Sequence, residues 1–203
     1  MRVKFYREHK YVSAALNDLE RLIAKTDFRK NAEIEEIKGK WADLCGMLQG
    51  HARYEEEKLH ALLEKKGSTV HLPAQDQHEE MDAAFPQIDS LFHEVLSEDD
   101  QDKKVEMGYQ LYLAFRKFVG NNLLHLHEEE TKILPELQRL YSDEELRLVE
   151  DSTYQIMTPQ EMIDMLQVLF PHMNALDKEA FLKDIENSQP RKFKEILRSE
   201  AFA

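Results

Sequence analysis

Apolar residues recur along this chain at intervals of three and four, the spacing that places side chains on one face of an α-helix. Phe5, Val12, Leu16, Leu19 and Ile23 form the first such stripe and predict a helix from about Val3 to Lys25. A second stripe runs through Ile34, Ile37, Trp41, Leu44, Leu48, Leu59 and Leu62 and stops at Lys66 and Gly67, a helix-end signal. Pro73 suits the first turn of a third helix, whose apolar face is Met81, Phe85, Ile88 and Phe92 before an acidic loop at 98–102. A fourth carries Leu111, Phe115, Phe118, Asn122 and Ile133. Four long amphipathic helices with short connections each need a neighbour to cover the apolar face, and an up-down-up-down bundle supplies it. The fold class expected is therefore all-α.

Composition agrees with this picture, since six Gly and six Pro in 203 residues leave few helix breakers. The length suits one core unit with an appendage. We expect a bundle over 1–140 and a C-terminal helical extension over 141–203 packed on it. Within the extension, Ser142 with Glu145 and the run from Thr158 to Glu161 have the form of helix starts. Met162, Leu166 and Leu169, then Leu176, Phe181 and Ile185, then Phe193 and Leu197 are spaced to pack as short helices over one end or side of the bundle. The formal charge of −13 argues against nucleic acid as a partner, because phosphate binding needs clustered Lys and Arg. There is no apolar run long enough to span a membrane and no signal-peptide pattern in the first twenty residues, so the expected compartment is the cytoplasm. A lone cysteine, Cys45, reads as a small core residue; any metal must use nitrogen and oxygen.

The chemistry lies where the stripes are interrupted. On the second helix His51 and Glu55 stand between Leu48 and Leu59, and on the fourth His125 and Glu129 stand between Phe118 and Ile133. His9 follows Phe5 by four on the first helix, and His78 precedes Met81 by three on the third. Each helix thus turns a histidine inward. One such His is ordinarily a hydrogen-bonded core residue, but two inward carboxylates cost several kcal/mol unless compensated. The stripes present no inward Lys or Arg to compensate them, whereas a pair of cations would neutralise two carboxylates and accept four imidazoles. His60 and His93 fall off their stripes, His127 faces away from His125, and His172 lies outside the bundle; these are expected at the surface. His71 precedes Pro73 and is placed either outside the site or folded back over it. Glu128 and Glu130 read as solvated neighbours of Glu129.

The segments HARYEEEKLHALLEK from His51 and HLHEEETKILPEL from His125 resemble the two His-x-x-x-Glu segments of hemerythrin-like domains, the second as far as Pro135. The surroundings of His78 and the early His9 resemble the two remaining ligand positions, and the likeness covers about Val3 to Leu140. The resemblance implies two iron ions, bridged by both carboxylates and an oxo or hydroxo group, with His9, His51, Glu55, His78, His125 and Glu129 as ligands. Oxygen-carrying hemerythrins have a further histidine one turn before the position of His78, where this sequence has Ala74. Four His and two Glu are similar instead to the di-iron domain of iron-centre repair proteins and to some oxygen- or iron-sensing domains. Those repair proteins carry a small cysteine-bearing domain ahead of the bundle, and this first helix begins at the amino terminus. With four protein ligands each, both irons are expected to retain an exchangeable position.

Two classes of function stay open on this reading. One is a module that binds or senses O2, NO or iron and reports through the extension, with a protein partner or a second copy docking on the C-terminal helices. The other is a di-iron enzyme reacting with O2, peroxide or NO, including repair under nitrosative or oxidative stress.

Overall fold

The structure is a computed structural model and describes residues 8–197, apart from the side chains of 150–153. Phe5 and the expected helix start at Val3 lie outside the described residues. From there the elements are α1 (His9–Lys25), α2 (Asn31–Tyr54), α3 (Ala61–Lys65), α4 (Leu72–Ser97), α5 (Gln101–Glu128) and α6 (Leu134–Leu140), then α7 (Asp143–Ile156), α8 (Pro159–Leu169), α9 (Ala175–Ser188) and α10 (Pro190–Ile196). A π-helical segment, Glu55–His60, joins α2 to α3 without a break, and another, Glu129–Ile133, joins α5 to α6. The second and fourth helices of the sequence pattern are thus each a long rod with a π turn near its end.

Local chemistry sets the ends of these rods. Gly67 takes a positive φ of 73° after α3, which a residue with a Cβ rarely adopts. The Asp100 carboxylate accepts hydrogen bonds from the backbone N–H of Asp102 (3.0 Å) and Lys103 (3.1 Å) at the start of α5. Thr158 and Glu161 form the reciprocal capping box anticipated for α8.

Each rod packs on the next, α1 on α2, α2 on α4 and α4 on α5, and α5 closes the ring against α1. The result is an all-α bundle of four rods, as the apolar stripes predict. Its largest core residue is Trp41, fully buried, with Phe115 and Phe118 edge-on to it at 5.6 and 5.3 Å between ring centres. The indole N–H donates to Asp89 at 2.8 Å, so this ring leaves no polar atom unsatisfied.

After Tyr141 the chain folds back onto the bundle. α8 packs on α2 and α1, and Met162, Leu166, Leu169, Phe181, Ile185 and Ile196 join the same buried cluster as Trp41. Two expected core residues are not in it: Leu176 and Leu197 are exposed, because α9 and α10 turn those positions outward and bury Phe181, Ile185 and Ile196 instead. No described helix is long and apolar enough to cross a membrane.

Candidate metal centre

The apolar interior is split in two. The large cluster around Trp41 ends at Leu48 on α2 and Leu126 on α5, and a smaller one of Leu59, Leu63, Ala74, Ile133, Leu137, Tyr141 and Leu146 begins beyond. Between the two lies a polar layer. His51 and Glu55 are four apart at the end of α2, as are His125 and Glu129 at the end of α5, so each pair shares a face one turn apart. α1 contributes His9 and α4 contributes His78 at the same level. All six residues named from the sequence meet here, and all but the slightly exposed His51 are buried.

The six form two groups that share both carboxylates: His9, His51, Glu55 and Glu129, and Glu55, His78, His125 and Glu129. Within each group the donor atoms lie within 4.8 Å of one another. In the first, His9 Nε2 is 3.0 Å from His51 Nε2, and the two stand 3.4 and 3.1 Å from Glu55 Oε1. In the second, His78 Nε2 is 3.0 Å from His125 Nε2 and 3.4 Å from Glu55 Oε2. Glu55 therefore turns one oxygen to each group. Glu129 Oε2 lies 3.7 Å from His9 Nε2 and 3.4 Å from His125 Nε2, between the two groups.

None of the four carboxylate oxygens receives a hydrogen bond, although both side chains are fully buried. Such an arrangement is costly without a positive charge among the donors. Protons supply part of it. Burial opposes ionisation of Glu55, but the imidazoles of His51, His78 and His9 outweigh it and hold this carboxyl well below its usual range. Burial and the negative charge of Glu55 push Glu129 well above it. Burial disfavours charge on His9 too, yet Glu130 and Glu55 lift it to about 9, while burial takes His125 down to about 3. Against its burial, Glu55 and Glu56 likewise raise His78, so the carboxylates and imidazoles of the layer offset one another's charge, and a cation bound among them would compete with protons for the same donors.

The family model of the hemerythrin HHE cation-binding domain matches residues 2–137. The chain belongs to this family of cation-binding domains. No curated protein and no solved structure gives a match.

In this hemerythrin HHE domain the imidazoles point Nε2 into the layer and turn Nδ1 outward. His78 Nδ1 is 3.0 Å from Glu56, His9 Nδ1 3.3 Å from Glu130, and His51 Nδ1 4.0 Å from Glu8. His125 Nδ1 is 2.8 Å from the Gln77 amide oxygen, and the Gln77 amide nitrogen donates to Glu128 at 3.2 Å. Groups of this kind fix the tautomer and aim of a metal-binding imidazole. Glu128 and Glu130, expected to be no more than solvated neighbours, therefore support the site, as do Glu56 and Gln77. The paired acids Glu55-Glu56 and Glu129-Glu130 were the available signal, one facing the layer and the next reaching the histidine of another helix.

His60 departs from expectation, since it was placed at the surface and is buried. His71, left open between a place outside the site and one folded back over it, is buried at the start of α4. Neither belongs to the two donor groups. Burial pulls His60 down to about 4. His93 and His127 are exposed as expected, and half-buried His172 pairs with Asp18 of α1 at 2.9 Å. One inward lysine also escaped the stripes: Lys104 is buried, with its ammonium bound to Asn31. It sits about 30 Å along α5 from His125, at 1.5 Å per residue, and does not compensate the layer. Cys45 is half-buried beside the large cluster, its thiol pushed up by burial.

A cavity of about 1250 Å³ lies between α1, α2 and the C-terminal helices. Val12, Leu19, Met47, Met165, Val168 and Phe181 are among its walls, and it reaches His51 and Glu8 at the edge of the polar layer.

Proposed function

We propose that this chain is a non-haem di-iron protein that binds or senses a small ligand, O2, NO or iron itself, with the two ions held by His9, His51, Glu55, His78, His125 and Glu129. The observation that carries this reading is the sharing of two carboxylates between two pairs of imidazoles, with no hydrogen bond to any carboxylate oxygen. The donor set fits the ions. Each group offers two nitrogens and two carboxylates, a mixture that suits iron, and Cys45 stands outside both groups. A single tetrahedral zinc would use four of the six residues and leave one pair of imidazoles without a role. Iron in the layer would supply redox equivalents and coordination positions open to a diatomic ligand.

The protein's own part is to aim the imidazoles, through Glu56, Glu130 and Gln77, and to exclude bulk water by the apolar clusters above and below. The cavity that reaches His51 favours a second reading, a di-iron enzyme in which a larger substrate approaches the same centre for reaction with O2, peroxide or NO. Metal analysis of protein produced in iron-rich medium is expected to give two irons per chain. One zinc per chain overturns the reading. Anaerobic reduction followed by O2, watched optically, separates the two readings. A stable, reversible band supports binding, and irreversible oxidation that consumes a co-substrate supports catalysis.

A further inference from the structure

His60 has an imidazole with no assigned work. Its side chain is 3 % exposed and neither ring nitrogen has a hydrogen-bond partner. Leaving both unsatisfied away from water is costly, so the position calls for a partner that the polypeptide does not supply. The ring lies parallel to that of His78, 16° between planes and 5.8 Å between centres, and 5.1 Å from the ring of His71.

The way His60 gets inside is physical. It follows Glu55 by five residues, which on a regular α-helix of 3.6 residues per turn puts the two about 140° apart. The segment Glu55–His60 is π-helical, and there the i to i+5 repeat brings the two onto one face. Opposite it, His71, Ala74 and His78 share a face of α4 at spacings of three and four. His60 touches the first and last of these. Ala74, buried between them on that face, carries only a methyl group.

The two donor groups supply four protein donors each, fewer than iron ordinarily takes, and His60 adjoins only the group of His78 and His125. We propose that His60 is a fifth imidazole of the centre, delivered by the π turn, and that it ligates the metal held by His78 and His125. Ligation requires a turn of the side chain about its own bonds, since the ring now lies beside His78. The exchangeable position then belongs to the His9 and His51 side, where the large cavity opens. This replaces the expectation of one open position on each iron.

The inference rests on the reading of the layer as a metal pair, and the two fail separately. Metal content of the parent protein tests the pair. Azide titration of the iron-loaded full chain tests His60. The parent is expected to take up one azide per pair, and His60→Ala two, with free imidazole reversing the change. His60→Ala combined with Ala74→His, which supplies an imidazole from the opposite helix, is expected to return to one. In the cobalt-loaded protein, five shifted imidazole N–H resonances are expected in the parent and four in His60→Gln. A full metal pair with unchanged azide stoichiometry and unchanged resonances in the variants overturns the role of His60. Loss of fold in both single variants without rescue by the double one overturns it equally, by making His60 structural.

Discussion

Each imidazole of the polar layer is held from two sides, by what it faces and by what stands behind it, and the two kinds of carboxylate differ accordingly. Glu55 and Glu129 are shared by both donor groups. Replacing either by Ala is expected to lower metal content from two per chain to one or none. Glu56 and Glu130 touch only the outer nitrogens of His78 and His9 and remain about half exposed. Their replacement by Ala is expected to keep two metals but weaken binding about 10- to 100-fold, the usual cost of losing an outer partner. Exposed Glu35 on α2 serves as the reference and is expected to change nothing. Competition against a chelator measures all five proteins. If Glu56→Ala and Glu130→Ala match the reference, the outer contacts carry no binding energy; if they match Glu55→Ala, the division between shared and supporting carboxylates is wrong.

At the scale of the elements, the sequence was legible wherever a helix kept its regular period. Leu48, His51, Glu55 and Leu59 follow one stripe, so the inward pair on α2 could be read directly, as could the capping box at Thr158 and the stop at Gly67. His60 was not legible. A π turn has no composition of its own, and at 100° per residue this position faces away from Glu55. The support from Glu56, Glu130 and Gln77 was hidden for another reason, because it runs between helices far apart in the chain. The same limit conceals a packing device on α5. A Cβ at Gly108 would stand 2.2 Å from Cγ of Phe28, so the ring of the α1–α2 connection seats directly on the helix backbone. An alanine in a helix interior ordinarily gains about 1 kcal/mol over glycine. Here the overpacking cost of about 1–3 kcal/mol opposes that gain. The ring base, not a mobile tip, is what must move, so Gly108→Ala is expected to lower the thermal midpoint. Phe28→Ala with Gly108→Ala is expected to lose this extra penalty. A raised midpoint for Gly108→Ala alone would sink the argument.

Across the whole molecule, the C-terminal helices are joined to the bundle next to the centre. Asn174 caps α9, accepting from the Asp177 N–H at 2.9 Å, and its amide nitrogen donates to Asp177 at 2.9 Å and to the Tyr11 hydroxyl at 3.2 Å. Asp177 in turn accepts from Lys10 and Tyr11, the two residues that follow His9 on α1. These hydrogen bonds from Lys10 and Tyr11 depress the Asp177 carboxyl to about 2 from its ordinary value near 4. A carboxyl whose folded value lies below its unfolded one stabilises the fold above the unfolded value and loses that contribution as pH falls through the folded one. The contribution of Asp177 is therefore complete above about pH 4 and gone below about pH 2. Asp177→Asn keeps the size and the acceptor oxygen but not the charge, so the difference between parent and variant isolates this term from every other acid-sensitive group. Measured on metal-free protein, the thermal midpoint of the variant is expected to lie below that of the parent near neutral pH. The gap is expected to close as both are taken down through pH 4 to pH 2. Hydrogen exchange of the α9 amides is expected to follow the same course, fast in the variant at neutral pH and alike in both proteins in acid. A gap that stays constant over that range would show that Asp177 acts by shape rather than by charge, and the tie between the extension and the helix that carries His9 would then not be electrostatic.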